Sequence, residues 1–198
     1  APGGGEHPVP QRAHEGSDPL GRRMETETVE LALLPAREID TAETAAVVNA
    51  AFARYPIYYG TRTSPEGLLA ESPAGAEFLQ IRRDSRLVAT AMLCPATALE
   101  VDEDPFEPEH LPGSLYFGIA AVAPDAMGGG YGRRLLAETE RIARERGYTR
   151  VVLSTVREFG LVEYYGPLGY AVGREVTCPA GHFDIDCEHH HCGMVKAL

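Results

Sequence analysis

The sequence predicts an α+β fold in which helices flank a central sheet. Three observations indicate this class: short apolar runs typical of strands, longer runs with helical spacing among them, and a glycine-rich turn that joins a strand to a helix. With 198 residues, of which 44% are hydrophobic and 24% charged, the chain can bury one core without disulfides or metal ions. We therefore expect a single domain over residues 24–198. Residues 1–23, rich in Gly, Pro and charge, are expected to form a flexible or docked N-terminal arm.

The strands are predicted from runs in which apolar residues alternate with polar ones or stand together in a short stretch. Asp84 and Ser85 separate two such runs and are typical of a tight turn, so these two strands should form a hairpin. Pro124 ends a run of small apolar residues that suits a central, buried strand. The predicted strands are 28–34, 77–82, 86–95, 115–122, 151–155, 170–176 and 192–197.

The helices are predicted where apolar residues recur every three or four positions. We expect Thr41 to cap the first helix, Pro65 to stand in the first turn of the second, and Gly147 to end the third. The predicted helices are 41–54, 64–71, 130–146 and 161–165. The order along the chain is therefore β, α, α, β, β, β, α, β, α, β, β.

Charge and cysteine content exclude several classes of partner. The formal net charge of −11 argues against nucleic acid, whose phosphates require a positive surface. No apolar run approaches the roughly 20 residues that cross a bilayer, so no membrane partner is expected. There is no apolar export segment, and three of the four cysteines crowd near the C-terminus. These features predict reduced thiols and a cytoplasmic protein.

The segment VAPDAMGGGYGRRLL, residues 122–136, predicts a binding site for a phosphate-bearing ligand. Glycines let backbone N–H groups converge, and the start of a helix adds unpaired donors and the positive end of its dipole. We expect the bound group to be a pyrophosphate. A Walker loop would need a lysine here, and the glycine spacing differs from the G-x-G-x-x-G of a Rossmann fold.

Residues 122–132 fit the pattern V-x-P-x-x-(Q/R)-G-x-G-x-G except at Met127, which stands where the pattern has Gln or Arg. This segment resembles the acetyl-CoA-binding motif of the GNAT acetyltransferases. Residues 164–170, Tyr-Tyr-Gly-Pro-Leu-Gly-Tyr, resemble the family's F-Y-E-K-L-G-F segment at the expected distance downstream. Together with the order of elements, the resemblance covers roughly residues 28–198.

The resemblance implies the GNAT acyl-CoA N-acyltransferase fold, an α/β three-layer arrangement around a mixed, mostly antiparallel sheet. It implies acetyl-CoA as cosubstrate and no required metal. It also implies that neighbouring strands splay after Val122, which leaves backbone groups of Ala120 and Val122 to pair with pantetheine. The implied cofactor-binding residues are Ala120, Val122, Met127, Gly128, Gly129, Gly130, Tyr131, Gly132 and Arg133.

By the same resemblance, Tyr165 is the catalytic residue that protonates the departing CoA thiolate. A phenol, whose ordinary pKa is about 10, can donate a proton to a thiolate formed in the reaction. The alternative is that Tyr165 is a packed aromatic residue, which is the expectation for Tyr164 and Tyr170. The implied reaction is direct attack of a neutral amine on the thioester in a ternary complex, with a backbone N–H polarising the carbonyl.

The general base and the acceptor site are left open by the sequence. The predicted central strand has Tyr116, Phe117 and Gly118 where many relatives carry a glutamate. Candidate bases are Glu158 and a carboxylate of the acidic loop. The aromatic residues after the first helix are expected either to stack against the substrate or to pack in the core. The loop carboxylates are Asp102, Glu103, Asp104, Glu107 and Glu109, and the candidate substrate residues are Tyr55, Tyr58, Tyr59, Tyr116 and Glu158.

A cluster of cysteine and histidine near the C-terminus allows two interpretations. Zinc needs about four nitrogen or sulfur ligands, and Cys178, His182, Cys187 and Cys192 would supply that number. The alternative is a histidine-rich hairpin, exposed or lining the acceptor site. The spacing matches no zinc module, and if residues 187–192 extend the last strand, their side chains alternate between its faces. We expect the metal-free alternative.

The function predicted from the sequence is transfer of an acetyl group to the primary amine of a small molecule. An amino acid, a polyamine-like metabolite or an amino-bearing antibiotic would fit. The alternatives are acetylation of protein N-termini or lysines, and a non-catalytic acyl-CoA sensor. A homodimer is left open.

Overall fold

The computed structural model describes residues 27–99 and 105–198. The expected N-terminal arm and the loop carboxylates of Asp102, Glu103 and Asp104 lie outside the described residues.

Seven strands form a sheet in the order β1-β2-β3-β4-β5-β7-β6. Neighbouring strands are antiparallel except for β4 and β5, which are parallel, so the expected mixed and mostly antiparallel sheet is confirmed. The strands are β1 (Val29–Pro35), β2 (Glu77–Arg83), β3 (Arg86–Pro95), β4 (Ser114–Val122), β5 (Arg150–Val156), β6 (Ala171–Cys178) and β7 (His189–Ala197). The helices are α1 (Thr41–Phe52), α2 (Pro65–Ala70), α3 (Tyr131–Glu145) and α4 (Val162–Tyr165).

Helices cover both faces of this sheet. Contacts from neighbouring residues of β2 show this, since successive side chains of a strand point to opposite faces. On β2, Phe78 packs in a cluster with Leu68 of α2, and the Gln80 side chain donates a hydrogen bond to Thr44 of α1 at 3.0 Å. The alternate residue Leu79 belongs to the larger core cluster, which contains the buried face of α3. The protein therefore has the three layers that the resemblance implies.

Most predicted boundaries lie within two residues of the observed ones, but the cap of the first helix and the start of the last strand were predicted wrongly. Asp40, rather than Thr41, caps α1, because its carboxylate accepts a hydrogen bond from the backbone N–H of Glu43 at 2.9 Å. The last strand begins at His189, three positions before the predicted start. It does so because residues 189–195 pair with β6, and residues 191–197 pair with β5.

The strands β4 and β5 separate earlier than expected. Their pairing covers only Ser114–Tyr116 of β4, so the predicted splay after Val122 is wrong in position. The cause is a bulge: the register of β4 against β3 shifts by one residue between Gly118 and Ala121, and Ile119 there has φ of 46°. A bulge bends and twists its strand, and it turns β4 away from β5 over the second half of the strand.

Candidate active site

A cavity of about 740 Å³ lies where β4 and β5 separate, and it extends to the end of α1, the start of α3 and α4. The structure brings most of the predicted site residues to its wall. These are Tyr55, Tyr58, Tyr116, Ala120, Val122, Met127, Gly128, Gly130, Tyr131, Gly132, Arg133 and Tyr165. It does not bring Gly129, Tyr59 or Glu158 there.

The glycine turn forms one end of the cavity. Gly128 and Gly130 have φ of 82° and 78°, which glycine adopts without strain, and Gly130 stands directly before the first residue of α3. A Cβ built on either glycine would meet no atom within 4 Å, so open space lies beside both of them. The first N–H groups of α3 have no intrahelical partner. The turn therefore fits a phosphate group, which needs both space and donors.

The second half of β4 forms the middle of the cavity wall. Beyond Tyr116, this strand has no ladder partner on its β5 side within the described residues. Ala120 and Val122 lie in this stretch and line the cavity. Their part of the strand edge can therefore pair with an extended ligand, as an added strand would.

Tyr165 lies at the end of α4, is 8% exposed and lines the cavity. Burial raises the pKa of its phenol, and the neighbouring Tyr164, Tyr55 and Tyr116 add to that effect. The hydroxyl therefore keeps its proton at neutral pH, as a proton donor requires. Tyr164, expected only to pack, also lines the cavity beside Gly132.

Aromatic rings form the other end of the cavity. The rings of Tyr55 and Phe159 are stacked with centroids 3.9 Å apart, and Phe52 meets both edge to face. Burial is the main cause that raises the pKa of Tyr55 and Tyr58. Tyr58 also forms an isolated bridge with Ile185, whereas Tyr59 is 63% exposed. This end of the cavity is suited to an apolar or aromatic ligand.

The candidate bases that the structure describes, Glu158, Glu107 and Glu109, do not line the cavity. Glu158 accepts hydrogen bonds from the ring Nδ1 of His190 at 2.8 Å and from its backbone N–H at 3.1 Å. Burial works to raise the pKa of this carboxyl, but those hydrogen bonds lower it. Glu107 and Glu109 are also absent from the wall, and no described lining residue is Asp or Glu.

Among the lining residues that were not singled out from the sequence as site residues, three have side chains that bear on the chemistry of the site. Arg54 donates a hydrogen bond to Sδ of Met127 at 2.9 Å. A guanidinium therefore lies beside the residue that stands where the motif usually has Gln or Arg. Phe159 follows β5, and His191 lies on β7. The position of His191 could have been suspected from the sequence, since this residue belongs to the C-terminal cysteine and histidine cluster, for which a lining of the acceptor site was one interpretation.

The cysteine and histidine cluster does not assemble a metal site within the described ranges, where no group of three or more His, Cys, Asp or Glu is placed to hold an ion. None of the four cysteines is in a disulfide. Cys192 donates to Glu175 at 3.2 Å, and burial, with this carboxylate, raises the pKa of its thiol to about 12. A thiol that keeps its proton is a poor zinc ligand. No described helix has the length and apolarity to cross a membrane.

Comparisons with known proteins agree with this architecture. The sequence model of the acetyltransferase (GNAT) family matches residues 44–170. No curated protein sequence matches the chain significantly. The ribosomal-protein-alanine N-acetyltransferase from Brucella melitensis is similar with a TM-score of 0.60 at 22% identity, over 84% of this chain and 99% of its own.

Two further solved structures are similar to the same extent. The ribosomal-protein-S18-alanine N-acetyltransferase from Escherichia coli gives a TM-score of 0.59 at 15% identity, over 86% of this chain and 94% of its own. The GCN5-related N-acetyltransferase from Kribbella flavida gives a TM-score of 0.60 at 18% identity, over 85% of this chain and 98% of its own. At these identities the likeness shows the fold.

Proposed function

This chain belongs to the acetyltransferase (GNAT) family, and on that premise we propose that it transfers the acetyl group of acetyl-CoA to the primary amine of a small molecule. The observation that supports this proposal is that one cavity is lined by the glycine turn, by Tyr165 and by the aromatic cluster. A phosphate-bearing donor and an apolar acceptor can therefore meet there. Family membership makes the protein an enzyme, which sets aside the non-catalytic sensor.

The donor half of the cavity would hold acetyl-CoA. The N–H groups of the turn at Gly128–Gly132 would bind the pyrophosphate, with the guanidinium groups of Arg54 and Arg133 beside it. The unpaired edge of β4 at Ala120 and Val122 would pair with the pantetheine arm. Acetyl-CoA supplies the thioester, and the protein positions it against the acceptor.

In the reaction that we propose, the amine attacks the thioester carbonyl directly. A backbone N–H of the unpaired β4 edge would stabilise the developing oxyanion. Tyr165 would donate its proton to the sulfur as the C–S bond breaks, which its protonated state permits. Because the reaction needs no covalent enzyme intermediate, both substrates have to be bound together.

The acceptor half favours a small amine with an apolar or aromatic body. Its walls are the rings of Phe52, Tyr55, Tyr58 and Phe159, and the described wall offers no carboxylate to hold a polycation. The names of two similar structures refer to ribosomal-protein alanine, so a peptide with an N-terminal alanine is the alternative acceptor to be tested. We also propose a cytoplasmic location, which four cysteines outside any disulfide support.

The test is release of CoA from acetyl-CoA, measured against a panel of amines, together with calorimetry of acetyl-CoA binding. The panel contains 2-phenylethylamine, an amino acid, spermidine and an N-terminal alanine peptide. We expect acetyl-CoA to bind at low-micromolar concentration and the aromatic amine to be acetylated fastest. Absence of acetyl-CoA binding would overturn the proposal, and a preference for the peptide would replace the small molecule with a protein substrate.

A further inference from the structure

His191 lies on β7 and lines the cavity while only 7% of its surface is exposed. The strand pairs it with Val156 of β5 on one side and with Val176 of β6 on the other. The ring of Phe183, another lining residue, meets the imidazole edge to face with centroids 4.9 Å apart. A polar ring is thus held by apolar neighbours at the wall of the cavity.

The imidazole of His191 carries an unsatisfied polar atom. Its Nδ1 is buried and has no hydrogen-bond partner among the described residues. Leaving a buried polar nitrogen unpaired is destabilising, and an apolar residue of similar size would avoid that cost. A hydrogen bond made when substrate is bound would remove this cost.

The wall of the cavity offers no stronger base within the described ranges. Its other ionisable side chains are tyrosines and arginines, and no Asp or Glu lines it. Amine acetylation releases a proton from the attacking nitrogen, so a group is needed to receive it.

We propose that His191 is the catalytic base of this enzyme, which hydrogen-bonds the acceptor amine and takes its proton as the C–N bond forms. This inference rests on the proposed function. The nitrogen lone pair forms a bond to the thioester carbonyl carbon, and the C–S bond breaks. The N–H proton passes to the imidazole, while Tyr165 gives its proton to the sulfur. His191 then releases its proton to water, and Tyr165 is reprotonated from water, so the charges balance.

The protonation state of His191 agrees with this role. Burial, with smaller effects of His189 and His182, lowers the pKa of the imidazole to about 4, so the ring is neutral at the pH of the cell. The groups at its register on β5 and β6 are uncharged valines, and the two histidines are the ionisable neighbours that act on it. A neutral imidazole has a free lone pair, and the attacking nitrogen becomes acidic once its bond to carbon forms.

The adjacent histidine provides a matched control. His190 is partly exposed, does not line the cavity and pairs with Glu158 instead. Because neighbouring residues of a strand face opposite sides, His190→Gln changes the same strand without touching the cavity. His191→Gln and His191→Asn each keep a polar group close to one ring nitrogen and remove the proton acceptor.

The experiment measures CoA release with 2-phenylethylamine, and with water alone as the slow acceptor, for these variants. We expect both His191 variants to lose about 10²-fold or more in kcat while acetyl-CoA affinity stays within about twofold. His190→Gln should match the unchanged protein. His191→Ala should regain part of its rate when free imidazole is added, which loss of a merely structural residue would not allow.

The outcomes separate this inference from the proposed function. If the unchanged protein releases CoA and both His191 variants keep kcat within about threefold, the inference is wrong and the proposed function stands. If imidazole restores nothing to His191→Ala although that variant is folded and binds acetyl-CoA, the role of base is also overturned. If the unchanged protein releases no CoA to amine or water, the proposed function itself fails.

Discussion

The rings of Tyr165 and Tyr170 meet edge to face with centroids 5.9 Å apart, but their hydroxyl groups have different surroundings. Tyr165 lines the cavity, whereas the Tyr170 hydroxyl donates to Oε1 of Glu140 at 3.4 Å, away from the cavity. Burial raises the pKa of both phenols. Two neighbouring tyrosines therefore share a state of protonation and differ in access to a ligand, which makes them a matched pair for mutation.

Tyr165→Phe removes one hydroxyl group at the cavity wall. We expect kcat for amine acetylation to fall by about 10²-fold, because the departing thiolate loses its proton donor, while acetyl-CoA affinity changes by no more than a few-fold. Steady-state kinetics and calorimetry measure the two quantities. Tyr170→Phe is the control and should leave kcat unchanged. Equal kcat in both variants would show that Tyr165 serves packing alone.

Gly130→Val tests the glycine turn. Valine at φ of 78° strains the backbone, and its side chain would occupy the open space beside the start of α3. We expect acetyl-CoA to bind at least about tenfold more weakly by calorimetry, because the phosphate loses both room and donors.

Gly75→Val supplies the control for backbone strain. Gly75 has φ of 81°, it also has open space around it, and it does not line the cavity. Its substitution should lower the melting temperature to a similar extent and leave acetyl-CoA affinity unchanged. If both variants bind acetyl-CoA equally well, the turn does not hold the phosphate.

The buried His191 predicts a dependence of stability on pH. Its pKa is about 4 in the folded protein and near 6.5 in an unfolded chain, so between these values the unfolded state binds a proton that the folded state does not. The free energy of unfolding should therefore fall as the pH drops from about 6.5 to about 4, by up to about 3 kcal/mol from this residue.

Urea unfolding of the unchanged protein and of His191→Gln between pH 4 and pH 7 measures this contribution. Other titrating groups act in both proteins, so the difference between the two curves isolates His191. We expect the variant to lose less stability on acidification. Parallel curves would show that the folded protein does not hold this imidazole neutral. Removal of His190 should act in the opposite direction, since its hydrogen bond to Glu158 raises its pKa and stabilises the fold at low pH.

Metal content separates the two interpretations of the C-terminal cluster. Elemental analysis of protein never exposed to a nickel column should find zinc near zero per chain, and a chelator should not change the melting temperature. A thiol reagent should react first with Cys187, because Cys94, Cys178 and Cys192 are buried. Burial and the nearby Asp186 raise the pKa of Cys187, so the reaction should be slow at neutral pH.

Cys187→Ser is the control, and it should abolish the reaction of the folded protein while leaving three thiols that react only after unfolding. Stoichiometric zinc that leaves only on unfolding would contradict this prediction. It would not affect the assignment to the acetyltransferase family.

The order of elements could be predicted from the sequence because local signals determine it. The run before Pro124 forms β4, and apolar spacing sets the buried face of α3, as the sequence predicts. The boundaries were harder to predict. Asp40 and Thr41 are both good N-cap residues, and the choice between them depends on one hydrogen bond to Glu43.

The glycine turn and the start of α3 follow from residues adjacent in sequence, and so does the position of Tyr165 on the helix that follows β5. Long-range pairing determined the rest. The bulge at Ile119 decides where β4 leaves β5, and it depends on register against β3. Pairing of β7 between β5 and β6 turns His191 to the cavity, while the Glu158 carboxylate is bound by His190. The pairing of β5 with β7 and the contact of Glu158 with His190 join residues about 30 or more positions apart, and the spacing of residues along a chain carries no record of them.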